Sequence, residues 1–342
     1  MKHIYDGYKA GVNLGGWISQ CDYTAEHMDG FIKKENIKQI ASWGCDHVRL
    51  PIDSPVLEDD ERPFVYKEEG FGHIDDCVAW CKEYGLNVVM DMHRAPGYAF
   101  YLEEQPLFTD AETQERYYSL WEFFAKRYVS ERDNVIFELM NEITDPRGDA
   151  WNNIARRAVE RIQAVDPGRY IMLGGPDWNS ASGLDKLEVW DDPHIVYTFH
   201  CYEPFVFTHQ RASWTHLKDS GINQPYPGKL ADVDKLREIM KWASPDEISE
   251  NVYLNKQTIA DKLKPATDFY KRTGKKLYCG EYGPITHADL ASRVNWTKDI
   301  TELLNEYGIG KSFWSYKGMG FTTIDENGMP VDEELIRAIS SK

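Results

Sequence analysis

The chain has 342 residues, 42% hydrophobic and 28% charged, which is enough apolar material for a full core and shows none of the bias of a disordered segment. Its formal charge of -17 argues against a nucleic-acid partner, because phosphates need a basic face to replace their counterions. No stretch reaches the ~20 apolar residues of a membrane span, and Met1-Lys-His-Ile-Tyr-Asp-Gly7 lacks the apolar centre of a leader. These features predict a soluble chain with no membrane partner, either cytoplasmic, or secreted with its leader removed or by another route.

In chain order, short β-branched or aromatic runs alternate with longer stretches of helical period, the pattern of a parallel sheet with crossover helices. Strands are predicted at 10–14, 46–51, 86–93, 135–142, 170–175, 195–202, 276–283 and 309–317. Helices are predicted at 29–43, 71–84, 111–130, 149–165, 181–190, 256–273, 288–306 and 332–341. Several of these stop at a glycine suited to a C-cap, namely Gly44, Gly85, Gly274 and Gly308. Repeated around the chain, this order predicts an α/β fold of the (β/α)8 TIM barrel type. A barrel takes about 250 residues, so roughly 90 are surplus. The longest gap, 203–253, is rich in Pro, His and Trp and carries a helical patch near 231–242. It is predicted to be a small helical insertion after strand 6, on the catalytic face of a single catalytic domain spanning 1–342.

The six cysteines, Cys21, Cys45, Cys77, Cys81, Cys201 and Cys279, form no C-x-x-C pair and no zinc-spaced cluster. They are expected to be buried thiols. Cys77 and Cys81, one helical turn apart, fit inward packing rather than metal or redox chemistry.

Two apolar runs end in acid: Val135-Ile-Phe-Glu-Leu-Met140 is followed by Asn141-Glu142, and Lys276-Leu-Tyr-Cys-Gly280 by Glu281. Paired carboxylates at strand ends are what glycosidic-bond cleavage requires. In a barrel, residues at the C-terminal ends of strands form the site. Those ends supply Arg49, His93, Asn141, Glu142, His200, Tyr202, Glu281 and Trp314. Seven of the eight are polar, whereas ends chosen for packing would favour apolar or turn residues. Aromatics on strand-to-helix loops, Trp17, Tyr98, Trp178, Phe205, Phe207 and Trp214, are candidate sugar platforms. Trp43, Trp80 and Trp121 sit within helical patterns and read as packing residues.

Taken in order, Gly11-Val-Asn-Leu-Gly-Gly-Trp17, His47-Val-Arg-Leu-Pro51, Asp91-Met-His93, Glu138-Leu-Met-Asn-Glu142, Phe199-His-Cys-Tyr202, Gly280-Glu281-Tyr-Gly283 and Trp314 resemble glycoside hydrolase family 5 of clan A. Within that family the chain resembles the clostridial endoglucanase C type of cellulase. The resemblance implies a retaining, endo-acting hydrolase of β-1,4-linked and mixed-linkage β-glucans, with Glu142 as general acid/base and Glu281 as nucleophile. It implies Arg49, His93, Asn141, His200 and Tyr202 as catalytic support and Trp314 as a platform at the cleavage subsite. Arg49 is suited to keep Glu281 ionised, and Tyr202, on the same strand face as His200, can donate its hydroxyl to Glu281. The partner implied is a β-glucan poly- or oligosaccharide, with no metal or other cofactor, and the chain is expected to act as a monomer.

Other motifs compete poorly. Gly310-Lys311-Ser312 imitates the end of a phosphate loop, but Asn305 replaces its first Gly and the segment enters a strand. Neither H-E-x-x-H nor G-x-S-x-G is present, and Glu58-Asp-Asp-Glu61 reads as a solvated acidic loop rather than a cation site. A silent carbohydrate-binding barrel would have lost one of the two glutamates, and a phosphosugar barrel would want a Gly-rich anion loop where Gly283-Pro-Ile-Thr-His287 stands. Mannanase and β-1,3-glucanase specificities share the same barrel, although the exo-β-1,3 type carries an acid where this chain has Cys21.

Overall fold

The computed structural model describes residues 4–144, 148–244 and 246–342. Eight parallel strands, β1 (Ala10–Asn13), β2 (His47–Asp53), β3 (Asn87–Arg94), β4 (Val135–Glu138), β5 (Ile171–Gly174), β6 (Ile195–Cys201), β7 (Leu277–Tyr282) and β8 (Gly310–Phe313), close into a barrel in sequential order, with β1 pairing β8. Each falls within a predicted strand or extends it by one or two residues, and the predicted (β/α)8 barrel is the observed fold.

The side-chain period of two sorts each strand between two cores. Val88, Met90 and Met92 of β3 face the helices, as do Tyr197 and Phe199 of β6. The alternate residues Val89, Ile136, Met172, Val196 and Tyr278 meet inside the barrel together with Tyr8. Two positions further along the same inward faces come Asp91, Glu138 and Thr198, all fully buried. The barrel interior therefore passes from an apolar layer to a charged one as it approaches the C-terminal mouth. At the opposite end Lys311, also fully buried, donates to Asn305 Oδ1 (2.6 Å) and the Ser341 carbonyl (2.9 Å). Those bonds account for the cation of the phosphate-loop mimic.

Helices Glu68–Tyr84 and Lys256–Thr273 end at Gly85 and Gly274 with φ of 73° and 67°, the left-handed caps expected of glycine. Aspartate N-caps on Ser292 and Leu335 start the helices Leu290–Glu306 and Glu333–Ile339. Three predicted features differ from what is observed. The helix expected at 29–43 is two, Ala25–Phe31 and Lys34–Ser42, because Ile32 turns extended to bury its side chain and Asn36 accepts from the Lys33 amide to cap a fresh start. The helix expected at 181–190 is a single 3-10 stretch, Ala181–Lys186, in which Gly183 lies so close to the Pro176 carbonyl that a Cβ would overlap it. The acidic loop at 58–61 opens a small hairpin with 62–66, and Glu58 is buried against Arg116 rather than solvated.

Between β6 and helix 256–273 the chain forms short helices Phe205–Thr208 and Val233–Ile239. A two-stranded pairing of Gly228–Lys229 with Tyr253–Leu254 ties the segment together. Leu217, Ile222, Tyr226, Leu230 and Leu236 join the main core, and the Tyr226 hydroxyl donates to Asp299 (2.7 Å). Five of the six cysteines are buried, Cys21 is partly exposed, and none is paired. Among the described residues no helix is long and apolar enough to cross a membrane.

Candidate active site

The charged layer is organised by one guanidinium. Arg49, fully buried on β2, donates through Nε to Glu138 (2.6 Å), through Nη1 to Asn13 (3.0 Å) and Glu281 (2.7 Å), and through Nη2 to Asn141 (3.0 Å), with Asp91 also 3.0 Å from Nη2. A planar fork of five N–H donors can serve all these partners at once, where an ammonium has only three. Three carboxylates around a single cation carry excess negative charge. Burial accordingly raises Glu138 above the usual carboxylate range despite its bonds to Arg49.

Glu281, the third of these carboxylates, shifts the other way. Burial alone would raise its pKa, but His200, Arg49 and His93 and the Tyr202 hydroxyl, which donates to Oε2 (2.8 Å), outweigh it and hold the carboxyl well below its usual range. Tyr202 is pushed far above its ordinary pKa by burial and by Glu281, so it stays a donor. On β7 the register against β6 slips between Cys279 and Glu281, a bulge that re-aims Glu281 toward the mouth. Gly280 occupies that slip, and a Cβ there would lie 3.0 Å from Thr198 Oγ1 and 3.3 Å from both Glu138 Oε1 and His200 Nε2.

Glu142 follows β4 with φ of 27°, in the left-handed region that non-glycine residues rarely enter. Its carboxylate lies 3.1 Å from His200 Nδ1, which is also 3.6 Å from Glu281. Side-chain oxygens of Glu142 and Glu281 approach to within 4.8 Å of one another. His93 is held by Asp91 (2.7 Å). Burial alone would lower its pKa, but the Asp91 charge and hydrogen bond raise it above its ordinary value. Its ring stacks on Trp314 at 5.6 Å and 8°, and its Nε2 is 3.4 Å from the Asn141 amide nitrogen. Gly15 lies under the same indole, with room for no Cβ: the nearest Trp314 atom would be 2.9 Å away.

These groups open into a cavity of about 400 Å³. Of the residues expected at the site, His93, Asn141, Glu142, Tyr202, Glu281, Trp314 and Trp214 line it, with Arg49 and His200 buried behind. Other expected platforms are elsewhere. Trp17 is buried, donates to the Met28 carbonyl (2.7 Å) and stacks on Trp80 beside a separate hollow. Phe207 is buried against Tyr226 and Trp296, and Tyr98 is buried beneath the Glu142 loop. Phe205 stacks on His209, and Trp178 is 56% exposed on its loop without lining the cavity.

Sequence reasoning missed Asn13, Asp91 and Glu138 below the site and Gln20, Phe100, Tyr101, His209, Met319 and Phe321 around it. A signal existed for Asp91, which precedes His93 by two on one strand face, and for Glu138, a lone acid in a buried run. The loop residues carried none.

A sequence model described as "Cellulase (glycosyl hydrolase family 5)" matches residues 6–320. Endoglucanase C of Acetivibrio thermocellus is 42% identical over 98% of each chain, and cellodextrinase A of Ruminococcus flavefaciens is 38% identical over 89% of this chain and 84% of its own. The crystal structure of Thermotoga maritima Cel5A shares the fold, with a TM-score of 0.79 at 24% identity over 98% of each chain. A closed barrel whose mouth holds paired carboxylates is the framework of a glycoside hydrolase. The chain belongs to the cellulases of glycosyl hydrolase family 5.

Proposed function

We propose that this chain is an endo-acting β-1,4-glucanase that works with retention, with Glu281 as nucleophile and Glu142 as general acid/base. The endoglucanase relatives support the substrate class. The observation that carries the roles is the approach of the two carboxylates to within 4.8 Å. Retaining glycosidases keep their carboxyl groups about 5–5.5 Å apart, whereas inverting ones leave about 6.5–9.5 Å for a water.

The surroundings divide the labour. Glu281 is anchored at one oxygen by Arg49 and at the other by Tyr202, so it remains ionised and aimed. It attacks the anomeric carbon while Glu142 protonates the departing glycosidic oxygen, giving a covalent glycosyl ester. Glu142, now a carboxylate, takes a proton from the water that breaks the ester. Asn141, fixed through its oxygen by Arg49 and with its amide nitrogen 3.4 Å from His93 Nε2, has one amide N–H for the sugar 2-hydroxyl. Trp314, backed by His93 and Gly15, offers a flat face to the pyranose ring. The 203–253 segment supplies Trp214 and His209 to the cavity lining, packed against Phe321, an inserted wall within one catalytic domain.

A product-resolved digest of cellohexaose, lichenan, laminarin and glucomannan tests the substrate assignment. Internal cleavage of cellohexaose and lichenan with laminarin untouched is expected. Release from laminarin alone, or only monosaccharide from chain ends, would contradict it.

A further inference from the structure

We infer that Tyr98 is a positioning residue for Glu142, holding the acid/base in its left-handed backbone conformation through the phenol hydroxyl; the inference rests on the role proposed for Glu142. The hydroxyl donates to the Glu142 carbonyl at 2.6 Å and accepts from the Thr144 amide at 2.9 Å, so one atom clamps both sides of residue 143. The clamp itself is fixed. Tyr98 is fully buried, its backbone exchanges two hydrogen bonds with Ala95 (2.9 and 3.1 Å) directly after β3, and its ring packs edge-on against Phe108 at 5.4 Å.

The need for a clamp follows from the backbone. A glutamate at φ 27° is strained, and such a conformation persists only when its neighbours over-determine it. Beyond Tyr98, the Trp178 amide donates to the Ile143 carbonyl at 3.0 Å, and Gln105 Nε2 donates to the Thr144 hydroxyl at 2.9 Å. Tyr98 alone among these bonds residue 142 itself. Released from it, the turn relaxes toward φ < 0 and swings the Glu142 carboxylate relative to Glu281 and His200. A carboxylate displaced by about 1 Å from the glycosidic oxygen loses on the order of a hundredfold in proton transfer.

The test compares kcat/KM on a 2,4-dinitrophenyl β-cellobioside, whose leaving group needs no proton, with that on an unsubstituted cello-oligosaccharide, whose leaving group does. Tyr98→Phe is expected to lower the second by about a hundredfold and the first by less than about threefold. Glu142→Gln is run beside it. If Glu142→Gln gives the selective loss and Tyr98→Phe lowers both substrates equally, the hydroxyl serves only the fold and the positioning role is overturned. If Glu142→Gln itself shows no selectivity, the acid assignment falls and the inference with it. Tyr98→4-aminophenylalanine keeps the ring and a donor to the Glu142 carbonyl, and should return the ratio to within about threefold of wild type. A ratio more than about tenfold below wild type with that donor retained would overturn the inference, even where Tyr98→Phe does not fold.

Discussion

Arg49 compensates three buried acids with one charge, which makes it both a structural and an electrostatic hub. Arg49→Lys keeps the charge but cannot reach Asn13, Glu138, Asn141 and Glu281 together. The variant should unfold with about 1–3 kcal/mol less stability, the cost of buried acceptors left without a donor although the charge is kept. Glu281 should also ionise less readily in that variant, moving the acid limb of kcat/KM to higher pH. A pH profile with an unmoved limb would show that Arg49 does not set the state of Glu281. Glu281→Gln should lose roughly 10⁴–10⁶-fold in turnover of an aryl β-cellobioside with its melting temperature kept, and substantial residual turnover would remove it as nucleophile. The anchors at the strand ends could be read from sequence because each is polar where packing would choose an apolar side chain. Asp91 and Glu138 were harder to see, since they act through Arg49 and, for Asp91, through His93, and neither lines the cavity itself.

Among the elements, the 203–253 segment carries the least obvious physics. His209 is buried between Phe205, Tyr202 and Phe321, and burial pushes its pKa down to about 3. The unfolded chain therefore takes up a proton below the ordinary value of 6.5 that the folded chain refuses, and stability falls as pH drops from 6.5 toward 3. Thermal melts across that range should show the slope in the wild type and a shallower one in His209→Gln; identical slopes would exclude the imidazole. Loop aromatics could not be sorted from the sequence, because position after a strand does not say which way a side chain turns. Phe207 turns inward, so Phe207→Ala should cost about 3–5 kcal/mol of stability while leaving KM of the folded enzyme unchanged. Trp214, 59% exposed at the cavity, should behave oppositely: Trp214→Ala should raise KM on cellohexaose roughly tenfold, equivalent to about 1.4 kcal/mol, with an unchanged melting temperature. The helix boundaries that were misread, at 32–33 and 181–186, are set by a buried isoleucine and a crowded glycine, contacts that no local period encodes.

For the whole molecule, strand periodicity was sufficient to predict the barrel. The inward faces of β3 and β4, which change from Val89 to Asp91 and from Ile136 to Glu138 over two residues, also place the site at the C-terminal mouth. What periodicity could not supply was the bulge at Gly280 and the left-handed turn at Glu142, the two backbone departures that bring strands β4 and β7 to bear on one bond. The account as a whole requires that a sugar become covalently attached to Glu281. Incubation with a 2-deoxy-2-fluoro-β-cellobioside bearing a good leaving group, followed by intact mass and peptide mapping, tests this most directly. The prediction is one fluorocellobiosyl unit per chain, on the peptide containing Glu281 and on that residue. A label on any other residue, or turnover that releases the inverted anomer with no adduct formed, would contradict it.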